Sequence, residues 1–211
     1  MFNIFTRDGL ISFLYVLPAL LLSFAIHEFA HAYVAYKLGD RSQKALGRLT
    51  LHPFAHIDWM GFISIALLGF GWGKPVVVDD RNFKNKARDN MLVALAGPMS
   101  NLLLALLFTL IFKVLIVTGV ISSVNTILIN MFFNAILLNI TFAIFNMLPI
   151  PPFDGSKVLF YFLPRNFKGI MYTLEKYSFY IVIILLVSGL GGAIISPIIN
   201  FFLNIIYAII F

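Results

Sequence analysis

The chain has 211 residues, 61% hydrophobic and 11% charged, with 15 Lys and Arg against 9 Asp and Glu and no cysteine. This composition excludes a soluble globular chain and predicts an integral membrane protein of one domain, residues 1–211, with no appended soluble module. The lack of thiols excludes disulfides and thiolate metal sites, and the basic residues lie in loops between hydrophobic runs, where they set topology rather than bind nucleic acid.

About twenty apolar residues suffice to cross a bilayer. On that measure the sequence predicts spans over residues 10–38, 91–117, 124–148, 177–189 and 194–211. The first run is too long for a signal peptide and lacks a small-residue cleavage site, so it reads as a retained span. Inside it lies His27-Glu28-Phe29-Ala30-His31. On a helix, His27 and His31 stack on one face with Glu28 beside them. Two such imidazoles can bind Zn²⁺, and the carboxylate can take a proton from water. Ionisable groups inside a bilayer are costly, so the cluster marks a functional site.

The polar loop that follows holds the other two histidines, His52 and His56. Residues 60–70 are apolar but too few to cross as a helix, and Gly61, Gly69, Gly71 and Gly73 punctuate them. The β-branched run Val76-Val77-Val78 favours an extended return, so 60–78 is expected to be a re-entrant β-hairpin. An exposed strand edge there, at Gly71 and Gly73, could pair with an extended substrate. If this segment does not cross, the loops 39–59, 74–90 and 149–176 share one side and collect nearly all the basic residues. The positive-inside rule makes that side cytoplasmic, with the N-terminus outside and the site nearer the cytoplasm.

In the second span Gly97 and Asn101 stand at i and i+4, a spacing that suits close helix packing. In the third, Asn139 suits an interhelical hydrogen bond, and Asn146 could cap the span or contact substrate and oxyanion. Pro149, Pro151 and Pro152 then end that span, and Asp154-Gly155 follows. A catalytic zinc normally has three protein ligands, and Asp154 is the strongest carboxylate candidate for the third; His52 and His56 remain as alternatives.

The motifs together resemble the site-2 proteases, zinc intramembrane metalloproteases, in their minimal branch without PDZ or CBS modules. The matching residues are HEFAH at 27–31, Leu-Gly-Arg-Leu-Thr-Leu at 46–51, and Phe-Gly-Trp-Gly-Lys-Pro at 70–75. Ala96-Gly97-Pro98 with Asn101 follows, then Asn146 with Pro149, Pro151, Pro152, Phe153, Asp154 and Gly155. Phe153, Ser156 and His52 depart from the commoner Leu, Gly and Asn. The resemblance implies one Zn²⁺ per chain on His27, His31 and Asp154, Glu28 as general base, and the re-entrant segment beside the substrate. The expected fold is an all-α polytopic membrane protein: a three-span catalytic core, a re-entrant β-hairpin-like segment and a C-terminal pair of spans. The expected function is peptide-bond hydrolysis in a membrane-anchored substrate with a transmembrane segment. The lipid bilayer and a membrane regulator are candidate partners, and no nucleic acid is expected. A metal-ion transporter and a pseudoprotease scaffold are the competing readings. The lack of paired inverted repeats argues against the first, and the complete set of chemical residues against the second.

Overall fold

The computed structural model describes residues 6–68, 71–121 and 125–210. Its helices are α1 (Arg7–Leu38), α2 (Ser42–Ala45), α3 (Trp59–Leu68), α4 (Lys86–Val117), α5 (Thr126–Asn146), α6 (Asp154–Phe162), α7 (Lys168–Val187) and α8 (Leu190–Ile210). Among the described residues α1, α4, α5 and α8 are long and apolar enough to cross a membrane. Local chemistry sets the ends of the long helices. The Thr6 hydroxyl caps α1 by accepting from Gly9 N–H, and the Asn85 side chain caps α4 by accepting from Arg88 N–H. Gly39 ends α1 at φ 120°, in the left-handed region, where a side chain would also collide with the Asn82 carbonyl.

Helices α1, α4 and α5 pack on one another, α6 tucks against α4, and α8 leans on α4 and α5 with α7 outside it. Along the half of α4 beyond Asn101 the core is apolar, built from Ala105 and Phe112, Ile136 and Ile140 of α5, and Ile195 and Ile206 of α8. The opposite side of α4 is apolar too: Leu103, Leu107, Leu110 and Val114 form an exposed stripe at helical spacing. A helix hydrophobic on both faces suits a bilayer rather than water. Lys113, the one basic residue in that half of α4, donates to the Ile209 carbonyl at 2.6 Å near the end of α8. That contact satisfies a helix-terminal acceptor with a cation.

One expectation needs correcting. Residues 59–68 form a helix, residues 71–79 form neither helix nor strand, and no strand forms among the described residues. The segment is therefore a helix followed by a return without regular structure, not a β-hairpin. The glycines still mark the turn-back, because Gly61 of α3 lies directly against Gly71 and Trp72, where a Cβ on either glycine would overlap backbone. Glycine at both positions is explained by that close approach. The return pairs with side chains and loop backbone rather than with a second strand.

Candidate metal centre

The centre is built where α1 and α4 run antiparallel. Ser23, His27 and His31 stand at i, i+4 and i+8 on α1, and Asn101, Gly97 and Val93 stand opposite at matching steps on α4. His27 Nδ1 lies 2.6 Å from Asn101 Oδ1, and His31 Nδ1 lies 2.7 Å from the Val93 carbonyl. The Asn101 amide nitrogen donates to the Ser23 carbonyl and to Asn139 Oδ1, which fixes its oxygen toward His27. Asn139 in turn donates to Ser23 Oγ at 2.7 Å, making the interhelical bond its position suggested. Ser23, Asn101 and Asn139 are all fully buried, so this thread through α1, α4 and α5 is a closed polar network in an apolar bundle.

Both Nδ1 atoms face acceptors and so carry a ring proton, and in the neutral imidazoles both Nε2 atoms then present lone pairs. Those lone pairs meet. The two Nε2 atoms are 3.0 Å apart, and Asp154 Oδ2 is 3.3 Å from His27 Nε2 and 3.1 Å from His31 Nε2. All three residues are buried. Among the described residues this trio is the group of His, Asp and Glu side chains whose ligand atoms converge tightly enough for a metal ion. Three acceptors facing one another without a donor call for a cation. Nitrogen and oxygen ligands at ~2.0–2.2 Å from a tetrahedral Zn²⁺ stand roughly 3.3 Å apart, close to the spacings found. Gly97 makes the room: a Cβ there would come within 2.6 Å of His27 Nε2 and closer still to His31 Nε2.

Asp154 reaches this depth as the first residue of α6. The prolines close α5 at Asn146, and the chain folds back so tightly that a side chain on Gly155 would strike the Met147 and Leu148 carbonyls. Ser156 Oγ donates to the Phe153 carbonyl at 2.7 Å and secures the turn. Glu28, next to His27 and also buried, accepts from Val76 N–H at 3.1 Å.

The other candidates fall outside the trio. His56 is fully buried, with Nε2 2.9 Å from the Thr50 carbonyl, and His52 is exposed against Phe54. The Asn146 amide donates to the Phe142 carbonyl at 3.0 Å, capping the last turn of α5. Gly71 packs on Gly61, and Gly73 lies so close to the Phe24 ring that a Cβ would overlap it. Sequence reasoning assigned Gly97 and Asn101 to helix packing alone. Their i, i+4 step matches that of His27 and His31, the signal that one face of α4 serves both imidazoles.

The profile of Peptidase family M50 matches residues 15–127 and 113–189. YwhC of Bacillus subtilis, named as a zinc metalloprotease, is 39% identical over 188 residues, which cover 88% of this chain and 86% of its own. Rip2 of Mycolicibacterium smegmatis, named likewise, is 30% identical over 185 residues, 83% of this chain and 68% of its own. MJ0611 of Methanocaldococcus jannaschii, also so named, is 31% identical over 151 residues, 72% of each. No solved structure matches the chain.

Proposed function

This chain belongs to peptidase family M50, the site-2 proteases, and we propose that His27, His31 and Asp154 hold its zinc while Glu28 is the general base. The protein is a zinc-dependent intramembrane metalloprotease, integral to the membrane, and its substrates are membrane proteins. The single observation supporting the residue assignment is the convergence of three buried ligand atoms, two imidazole nitrogens and a carboxylate oxygen.

The zinc supplies a Lewis acid that polarises the scissile carbonyl and offsets the charge developing on its oxygen. The chain's residues do the rest. Asn101 and the Val93 carbonyl hold both imidazoles in the tautomer that turns Nε2 inward. One Glu28 oxygen is held by the Val76 amide, and the other takes the proton from the attacking water and passes it to the leaving amine. The substrate must unwind locally, since an intact helix hides its carbonyls in i→i+4 bonds. We place the unwound segment alongside residues 71–79, Gly71 and Gly73 included. Asn146 is assigned a contact with that substrate or its oxyanion, made by turning its amide away from the Phe142 carbonyl.

The whole chain acts as one membrane-embedded protease domain, with residues 59–78 entering and leaving on the same side. The basic loops put that side in the cytoplasm and the N-terminus outside. At ~1.5 Å per residue, His31 lies about 10 Å and His27 about 16 Å inside the Leu38 end of α1.

Two assays test this reading on detergent-purified protein. One zinc per chain is expected in wild type and its loss in Asp154→Ala, with helix content unchanged. Cleavage of a transmembrane substrate is expected to stop in Glu28→Gln while zinc is retained. Zinc unchanged in Asp154→Ala would move the third ligand elsewhere, and near-wild-type turnover in Glu28→Gln would remove the base.

A further inference from the structure

The Glu28 carboxylate is held from outside α1 and α4, by the amide of Val76. Residues 71–79 form no helix and no strand, so their polar groups must find partners elsewhere. Lys74 N–H donates to the His56 carbonyl at 2.8 Å. The Val77 carbonyl accepts from Gln43 Nε2 at 2.8 Å, and Asp79 N–H donates to Asp40 Oδ2 at 2.9 Å. Gln43 Nε2 also donates to Asp40 Oδ2 at 2.7 Å, which joins the last two tethers into one clasp. Asp40, in the corner between α1 and α2, and Gln43 of α2 are 1% and 0% exposed.

Side-chain burial holds the segment only in part: Val78 packs against Ala35, Phe83 and Val93, while Val77 is 71% and Trp72 53% exposed. Further restraints are the Gly73 contact on Phe24, one turn before Glu28, the Lys74 bond to His56, and the clasp beyond Leu38. The clasp is a firm one. Burial would raise the Asp40 carboxyl, yet donors from Ser42, Asp79 N–H and Gln43 hold it below the usual carboxylate range. From the clasp to Val76 is one to three residues, too short a stretch of chain to move at one end alone.

The geometry points to residues 71–79 being a strap whose clasp at Asp40 and Gln43 sets the position of the Glu28 carboxylate, which makes Asp40 and Gln43 positioning residues for proton transfer. The inference rests on Glu28 being the base. A glutamate has three rotatable bonds, and a base must stand within hydrogen-bond reach of the proton it takes. The Val76 amide selects one arrangement only while the strap is fastened.

The test uses the full chain in detergent. A panel of single-span peptides, each with a fluorophore and quencher on either side of the span, is screened for one that wild type cleaves and Glu28→Gln does not. On that peptide Asp40→Asn keeps the shape but removes an acceptor, and Gln43→Met removes the Val77 tether. We expect kcat to fall about 10- to 100-fold in Asp40→Asn and less in Gln43→Met. KM and zinc affinity, the latter by chelator competition, should stay within about twofold. Hydrogen exchange over 71–79 should quicken in both. Unchanged kcat with faster exchange would overturn the action on Glu28, and unchanged exchange would overturn the clasp. Zinc affinity falling in step with kcat would show a purely structural role and also overturn it. Should Asp40→Asn fail to fold, Gln43→Met decides alone, since it removes the tether and leaves Asp40 in place. Failure of wild type to cleave any peptide would sink the proposed function and this inference together. A dead Glu28→Gln beside a fully active Asp40→Asn would sink the inference only.

Discussion

The metal centre and the strap are a few ångströms apart and are built on opposite principles. In the centre, two of the three ligands are placed by the matched spacing of α1 and α4, and the third, Asp154, by the tight turn into α6. In the strap the backbone has no ladder, so side chains and loop carbonyls place it one atom at a time. Rigid helices can therefore hold the two imidazoles at fixed spacing, while the Glu28 carboxylate is held by an element able to loosen without disturbing them. Geometry that must not vary sits on helices, and geometry that must admit a substrate sits on a tethered segment.

The sharpest way to break this division is at Gly97. Gly97→Ala inserts a methyl between two imidazoles, and zinc content should drop from one per chain to little or none, taking cleavage with it. Glu28→Gln comes next: cleavage falls by about 10²- to 10⁴-fold while zinc stays bound. Zinc loss in that variant would mean the base and the ligands are one unit. Asn101→Leu frees the His27 tautomer, and zinc affinity measured by competition should weaken about 10- to 100-fold. Gly73→Ala should lower turnover several-fold with zinc affinity unchanged, because Phe24 must swing aside and lift the strap. Smallest of all is Asn139→Leu, which removes interhelical bonds averaging about 0.6 kcal/mol each and should show as a slight drop in melting temperature.

Much of the centre could be read in the sequence because helical periodicity is simple. His27 and His31 had to share a face, and three prolines before Asp154 had to end a span and free that residue. Gly97 was harder, since a glycine that clears space for ligands and a glycine that admits a neighbouring helix have the same spacing. What separates them is the residue opposite, which only the α1–α4 register reveals. Helices run past the expected spans where polar turns extend an apolar run. The sequence expects the second span from residue 91 and the fourth from 177, but α4 begins at Lys86 and α7 at Lys168. A helix can continue into water past the edge of the hydrophobic stretch, so hydropathy marks the membrane and not the helix. For residues 60–78 the sequence showed too short an apolar run for a spanning helix, but it misread the return as a strand and did not show what holds it. Strand propensity says that a chain extends and nothing about what it binds, and here the partners are Asp40, Gln43 and Glu28.

Helix length has a consequence of its own. At ~1.5 Å per residue the 32-residue α1 and α4 are each about 48 Å long, and the 21-residue α5 and α8 about 32 Å. A hydrocarbon slab of about 30 Å matches the short pair and is overshot by the long one. The excess of α4 begins with Lys86, Arg88, Asp89 and Asn90, groups suited to headgroups and water, and α1 carries Arg7 and Asp8 at one end and Lys37 at the other. The long pair can therefore meet thin and thick bilayers by tilting, without drawing a charge into oil. Tilt moves each group in depth in proportion to its distance from the helix centre. How far a scissile bond must sink before hydrolysis is thus fixed jointly by the chain and by the lipids around it.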